Sequence, residues 1–187
     1  MNKIPITLAI SLALVSGFIG FNMGYAYNPD YSLTMYDKNQ MNLGIADRWL
    51  DLRYLNAMIK HHRGAILLAE QITGDTHKPE ILSLKKEILN NEPKLIAELY
   101  SLKKTMYNDT RNVDDPFVSN LGENNKTFDL RLLNALVSHH TDGIEMARDV
   151  KSKSSTSEIL DNADAVEIFL TGSLEQLKQW RFSWFSV

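Results

Sequence analysis

A twenty-residue stretch occurs twice in this 187-residue chain, at an offset of 78 positions. Residues 51–70 read DLRYLNAMIKHHRGAILLAE and residues 129–148 read DLRLLNALVSHHTDGIEMAR. In both stretches apolar residues recur at steps of three and four, which is the period of one helical face. The repeat then continues, because residues 80–82 (EIL) recur as residues 158–160 at the same offset. The duplicated unit is therefore predicted to be a hairpin of two helices.

The duplication also predicts how the hairpins assemble. A single amphipathic hairpin cannot bury its apolar face, whereas two hairpins related by a pseudo-twofold axis can close a four-helix bundle. The sequence shows no alternating apolar and polar pattern of the kind that strands require. We therefore predict an all-α four-helix bundle over residues 47–187, with one hairpin over 47–108 and the other over 127–185. Pro93 falls inside the second predicted helix and is expected to kink or break it.

The N-terminal region has the pattern of an export segment. Residues 4–21 carry no charge, and the apolar character continues to residue 27. About 20 apolar residues can span a bilayer, whereas the apolar region of a signal peptide is usually about 7–15 residues long. We predict that residues 1–27 are a signal peptide cleaved after Ala26 or, as the length favours, a transmembrane anchor. A linker over residues 28–46 would follow, and the bundle would lie outside the cytoplasm.

Four of the five histidines form two adjacent pairs inside the repeated stretches, His61-His62 and His139-His140. Neighbouring residues on a helix point about 100° apart, so the two rings of a pair cannot simply chelate one ion side by side. Each ring continues an apolar line along its helix, and we expect all four rings to be at least partly buried. The pseudo-twofold axis would bring the first helix near the third, so that the imidazoles meet between them.

This meeting of side chains suggests a metal site. The chain has no cysteine, which leaves histidine, methionine and carboxylates as the available ligands. Imidazole combined with thioether suits Cu(I) or Ag(I), and imidazole alone suits Cu(II), Zn or Ni. The candidate ligands are four histidines and two nearby methionines: His61, His62, His139, His140, Met58 and Met146. The competing interpretation is that these residues are core residues copied by the duplication, with the methionines as packing residues.

The sequence also predicts the surroundings of three further polar residues, His77, Asn56 and Asn134. His77, in the predicted turn of the first hairpin, is expected at the surface. Asn56 and Asn134 are candidates for buried hydrogen-bond partners that orient an imidazole.

Other classes of function are disfavoured by the same sequence. A net charge of −3, without a long run of Lys or Arg, argues against a nucleic-acid partner. A di-iron carboxylate site requires Glu-x-x-His on two helices, and the sequence contains no such motif. No serine is placed with a histidine and an acid in a pattern that indicates a hydrolytic triad. We therefore predict a non-enzymatic protein without an organic cofactor.

The paired-histidine helices resemble an exported bacterial family, the domain-of-unknown-function family 305. Its characteristic helix reads roughly Met-Ile-x-His-His-x-x-Ala-Ile-x-Met-Ala, which residues 58–69 match and residues 136–147 match again. The resemblance covers roughly residues 47–184. It implies a ferritin-like fold. Because the family includes periplasmic copper-binding proteins of the CopM type, linked to copper resistance, it also implies extracytoplasmic copper binding through the paired histidines.

The second helix of each hairpin differs from the family pattern, which usually reads Gln-x-x-Glu-Ile-x-x-Met. The aligned residues are Glu92, Leu95, Ile96 and Leu99 in the first hairpin and Leu170, Ser173, Leu174 and Leu177 in the second. Two hypotheses therefore remain. One is a protein that binds or sequesters copper, with the membrane as a second partner through residues 4–27 if these are retained. The other is a structural or interaction module of ferritin-like fold that has lost metal binding.

Overall fold

The computed structural model describes residues 43–74 and 77–187. This part of the chain is helical, and no strand occurs within it, so the predicted all-α class is confirmed. The four helices are α1 (Leu50–Glu70), α2 (Pro79–Tyr107), α3 (Phe128–Lys151) and α4 (Ser157–Phe185). The predicted export segment and nearly all of the predicted linker lie outside the described residues. Over the two described ranges, no helix is both long and apolar enough to cross a membrane.

The helices pack as two hairpins joined through their first members. α1 packs on α2, α3 packs on α4, and α1 and α3 pack on each other. Leu55 near the start of α1 shares an apolar cluster with Val150 near the end of α3. Leu68 near the end of α1 shares a second cluster with Leu132 near the start of α3. The two central helices are therefore antiparallel, as the predicted pseudo-twofold relation requires.

The prediction that Pro93 kinks or breaks α2 is wrong as regards a break, because the helix runs without interruption through this residue. Proline removes one backbone hydrogen bond, the one its own N–H would have donated to the carbonyl four residues earlier. Buried side chains lie on both sides of this defect. Ile88 packs against Ala65 and Ala69 of α1, and Leu99 lies in the cluster that contains Leu55. Packing on both sides of Pro93 stabilises the helix across this defect.

An arginine in each central helix, α1 or α3, donates a hydrogen bond to the segment that precedes that helix. Arg53 Nε donates to the carbonyl oxygen of Leu43 at 2.5 Å, and Arg131 Nε donates to the carbonyl oxygen of Leu121, also at 2.5 Å. The glycine that follows each leucine has a positive φ, 73° in the first half and 77° in the second, a conformation that glycine adopts without steric cost. The duplication therefore begins by residue 43, eight positions before the repeat that the sequence made obvious.

The two hairpins also exchange contacts through their repeated aspartates. Asp51 at the start of α1 accepts a hydrogen bond of 2.5 Å from the hydroxyl of Thr156, which precedes α4. Its counterpart, Asp129 at the start of α3, accepts a hydrogen bond of 3.1 Å from the backbone N–H of Lys78, which precedes α2. Each aspartate thus anchors the start of the second helix in the opposite hairpin.

His77 is buried rather than exposed, so the prediction that it lies at the surface is wrong. Its Nδ1 lies 2.7 Å from Asp129 Oδ1, and its Nε2 lies 2.8 Å from the carbonyl oxygen of Thr73, both within hydrogen-bond distance. A polar ring can be buried when both of its nitrogens have partners. These partners come from a distant helix and from the end of the preceding turn, and the local sequence around His77 does not reveal them.

We expect Asp129→Ala to destabilise the protein by about 2–4 kcal/mol, since a fully buried unsatisfied polar group costs about 1–3 kcal/mol and this change leaves one on the buried His77 ring and another on the partly buried N–H of Lys78. The matched control is Asp51→Ala, which removes an acceptor from a hydroxyl that can rotate towards another partner. Urea unfolding followed by circular dichroism measures both free energies of unfolding. Equal losses in the two variants would show that the buried ring is not the cause.

Candidate metal centre

The four paired histidines form one buried polar layer between the two apolar clusters of the bundle. They lie midway along α1 and α3, and their exposed fractions are between 1 % and 9 %. Met58 and Met146 belong to the cluster on one side of the layer, and Leu68 and Leu132 to the cluster on the other side. The structure therefore brings together the four imidazoles that the sequence predicted would meet.

At the centre of the layer, the rings of His61 and His139 stack. Their centroids are 3.8 Å apart and their planes differ by 4°. Gly143 makes room for this stack, because a Cβ atom at that position would lie 2.6 Å from His61 Cε1 and 2.5 Å from Leu170 Cδ1. The corresponding residue in the first half is Ala65. The change from alanine to glycine at this repeated position is a signal in the sequence that two helices approach each other closely. The predicted site did not take this signal into account.

His62 is paired with a carboxylate from the second helix of its own hairpin. Its Nδ1 is hydrogen-bonded to Glu92 Oε2, and both side chains are largely buried. Because a carboxylate accepts only, Nδ1 of His62 carries a proton, and whenever the ring holds a single proton the lone pair lies on Nε2. Glu92 was not among the predicted ligands or orienting residues. A signal was present, since Glu92 lies at helical spacing among the apolar residues Ile88, Ile96 and Leu99 of α2.

His140 is held by different groups, although it occupies the equivalent position. Its Nδ1 donates to the carbonyl oxygen of Leu136 at 2.9 Å, which places the lone pair on Nε2. The hydroxyl of Ser173 on α4 lies 3.0 Å from this Nε2 and donates to it. Both nitrogens of His140 are therefore engaged, and the two halves orient the same residue by different chemistry.

The two asparagines predicted to orient imidazoles do not provide these contacts. Asn134 Oδ1 accepts a hydrogen bond of 3.2 Å from Arg181 Nη1. Asn56 Oδ1 is buried, and within the described part of the chain no group donates to it. The partners of His62 and His140 are instead Glu92 and Ser173, together with a backbone carbonyl.

Burial determines the protonation of the layer. Desolvation lowers the pKa of His61 and of His139 well below the ordinary value of 6.5, and the neighbouring rings lower both values further. Desolvation also lowers the pKa of His140, to about 4, although the Leu136 carbonyl and Glu92 act in the opposite direction. These three rings are neutral at pH 7, and neutral imidazole is the form that donates a lone pair to a metal.

The histidines are arranged as pairs of metal donors rather than as one complete set of ligands around a single ion. The lone pairs of His61 and His139 lie in parallel planes, so one ion cannot meet both while the rings are stacked. Within each adjacent pair the ring centroids are 5.9 Å apart. Contrary to the expectation for neighbouring residues on a helix, this separation is short enough for the two rings to share one ion with bonds of about 2.0–2.1 Å if their lone pairs turn towards it. Among residues 43–74 and 77–187, no three or more histidine, aspartate or glutamate side chains are grouped so that they could hold an ion.

Comparison with solved structures shows a known architecture. The structure of CopM in the Cu(I)-bound form has a TM-score of 0.64 and 23 % sequence identity, covering 74 % of this chain and 99 % of that one. CopM in the Ag-bound form, obtained by co-crystallization, gives 0.63 and 22 %, covering 72 % and 97 %. CopM in the Cu(II)-bound form gives 0.61 and 21 %, with the same coverage. At identities this low, the structural match shows a shared fold alone.

Comparison with other sequences shows the family. No functionally curated protein sequence has significant similarity to this chain. Residues 32–103 match the family described as "Domain of unknown function (DUF305)", and a second match overlaps the first over residues 51–126. Together these matches span more than half of the chain and include the first histidine pair. The protein with this duplicated paired-histidine bundle is therefore a member of the DUF305 family.

Proposed function

We propose that this protein binds copper outside the cytoplasm and sequesters it without catalysing a reaction. The proposed ligands are drawn from the buried imidazole layer of His61, His62, His139 and His140, with Met58 and Met146 as auxiliary thioether donors. The observation that carries the proposal is the layer itself. Removing a polar ring from water costs free energy that its partners in the protein must offset. If these positions served packing alone, four imidazoles in the middle of a bundle would be less favourable than apolar side chains.

Cu(I) is the oxidation state that suits these donors best. Neutral imidazole and thioether are soft or borderline ligands, and Cu(I) accepts low coordination numbers that a pair of donors can satisfy. When bound, the ion would serve as cargo held away from solvent, because the rings lie in the interior. The CopM structures that share this fold contain Cu(I), Ag or Cu(II), which supports the choice of metal.

The proposed location outside the cytoplasm rests on residues 4–27, whose apolar pattern predicts a signal peptide or a membrane anchor. This segment lies outside the described residues, so the proposal depends on the sequence. Immunoblotting of cytosolic, soluble extracytoplasmic and membrane fractions from cells that express the full chain tests it. Recovery of the full-length protein in the cytosolic fraction would contradict it.

One observation favours a second candidate function, a structural bundle without a metal. The parallel stack of His61 and His139 and the two hydrogen bonds of His140 give these rings partners in the absence of an ion. In that case the layer would serve to fix the register of the two hairpins, as buried polar residues do in some helical assemblies.

A titration of the full chain with Cu(I), under anaerobic conditions and against a competing chelator, separates the two functions. We expect tight binding by the wild type and binding at least about 100-fold weaker by a His61→Phe/His139→Phe double variant, since removing even a residue that supports a ligand costs about 10–100-fold. Phenylalanine keeps two stacked rings and removes their donors. His77→Gln is the matched control, because it alters a buried histidine outside the layer. Micromolar or weaker binding by the wild type would favour the structural function.

A further inference from the structure

We infer that Glu92 makes the two histidine pairs unequal: it positions His62 as a metal ligand through Nε2, while His140 serves mainly as a structural residue. This inference rests on the proposed function and names the half of the layer that carries it. Glu92 acts here as a positioning residue, since its carboxylate contacts a ring nitrogen of His62 rather than a metal ion.

Glu92 accepts a hydrogen bond from Nδ1 of His62, which keeps Nε2 of the same ring available for a metal. A carboxylate that accepts from Nδ1–H fixes both the tautomer and the orientation of a histidine ring, and it makes the other nitrogen a better donor. In this structure the bond joins α1 to α2 inside a single hairpin, and both side chains are largely buried. His62 is thus held in the form in which Nε2 can bind a metal.

His140, the counterpart of His62, has both of its nitrogens engaged. Its Nε2 lone pair already accepts a hydrogen bond from Ser173, and its Nδ1–H is donated to Leu136. A metal at this ring would have to displace the Ser173 hydroxyl and leave that hydroxyl in need of another partner. At His62 the supporting bond uses Nδ1, so a metal that binds through Nε2 leaves the bond to Glu92 in place.

Glu92 also brings a charge to the layer. Its carboxylate lies beside four buried imidazole rings and contacts that of His62 directly. A cation buried without a compensating charge is strongly disfavoured. One carboxylate balances one positive charge, so the neighbourhood of His62 suits a monovalent ion such as Cu(I) better than a divalent one.

Comparison of the two repeats localises the asymmetry. At the offset of 78 positions, Glu92 corresponds to Leu170 and Ser173 corresponds to Leu95. The second hairpin therefore has no carboxylate at the position from which Glu92 reaches His62, and the first hairpin has no hydroxyl at the position from which Ser173 reaches His140. Two substitutions between the halves are enough to turn one histidine towards metal binding and the other towards structure.

Single-residue variants of the full chain, titrated with Cu(I) against a competing chelator, test this inference. We expect His62→Gln to weaken binding at least about 10-fold more than His140→Gln does. We expect Glu92→Leu, which introduces the residue found in the second half, to weaken binding about 10–100-fold. Glu92→Gln should restore part of the loss, because its amide oxygen still accepts from Nδ1–H. Glu98→Leu is the matched control, since Glu98 is exposed on the same helix.

A measurement on the metal-free protein gives an independent readout. Two-bond ¹H–¹⁵N correlations of the imidazoles should show His62 protonated at Nδ1 in the wild type and in Glu92→Gln, and a mixture of tautomers in Glu92→Leu. Equal losses in the two histidine variants, or unchanged Cu(I) affinity in Glu92→Leu, would overturn the inference while leaving copper binding intact. A wild type that does not bind Cu(I) would overturn the proposed function and this inference together.

Discussion

Replacing Gly143 with alanine is expected to destabilise the protein by about 2 kcal/mol. A Cβ atom at this position would lie 2.5 Å from Leu170 Cδ1, 2.6 Å from His61 Cε1 and 2.7 Å from His61 Nε2. Forcing extra atoms into a packed interior typically costs about 1–3 kcal/mol, and alanine recovers only part of this through its better helix propensity. Since one of the crowded groups is the His61 ring, the clash also forces the stack with His139 to open.

Gly172 provides the matched control for this prediction, because it is a helical glycine with open space around its Cβ position. There, alanine should stabilise the protein by about 0.5–1 kcal/mol by reducing the conformational freedom of the unfolded chain. Urea unfolding of the metal-free variants measures both effects. Gly143→Ala with a free energy of unfolding equal to that of Gly172→Ala would show that the side chains of Leu170 and His61 can shift at no cost, and the close approach at the stack would then not be a constraint.

The features that the sequence predicted correctly are those fixed within a single helix and by the duplication. The spacing of Leu55, His62 and Ile66 defines one face of α1, and the repeat defines the same face of α3. Each of these two similar apolar faces must be buried against another helix. A pseudo-twofold axis packs them against each other and so buries both. That relation predicts that the two histidine pairs meet between α1 and α3, and the structure shows the rings of His61 and His139 stacked there.

The features that the sequence did not predict depend on which residue of another helix lies opposite. His77 is buried because Asp129, 52 positions away, reaches its ring. Glu92 and Ser173 contact histidines 30 and 33 positions away. A periodic pattern gives the inward face of α2 but not its rotation and translation against α1, and these decide which inward residue reaches a given nitrogen. The repeat gives no help here, because the two halves differ at both positions.

The buried histidines should make the metal-free protein sensitive to mild acid. In the unfolded chain a histidine titrates near pH 6.5, whereas in the folded protein burial lowers the pKa of His61 and His139 well below that value and the pKa of His140 to about 4. Below pH 6.5 the unfolded state therefore binds more protons than the folded state, and protons favour unfolding. The stability contributed by the neutral rings is fully present above pH 6.5 and is lost as the pH falls towards the folded pKa values.

Each ring contributes a slope of about 1.4 kcal/mol per pH unit within this window. Because the three rings act in the same direction, the free energy of unfolding should fall by several kcal/mol between pH 7 and pH 5, a large fraction of the whole stability of many domains. Carboxyl groups whose pKa is lowered in the folded protein, such as Asp109 and Glu167, lose their contribution only as the pH falls below their unfolded values near 4. The two kinds of group therefore act in different parts of the acid range.

Urea unfolding of the metal-free protein at pH 7, 6 and 5 measures this slope. The His61→Phe/His139→Phe variant should lose only about 2 kcal/mol over the same range, because one strongly shifted ring remains. A wild-type stability that does not change between pH 7 and pH 5 would mean that water or protons reach the layer without unfolding. The imidazoles would then not be desolvated and would cost little to bury, and the copper proposal would lose the observation on which it depends.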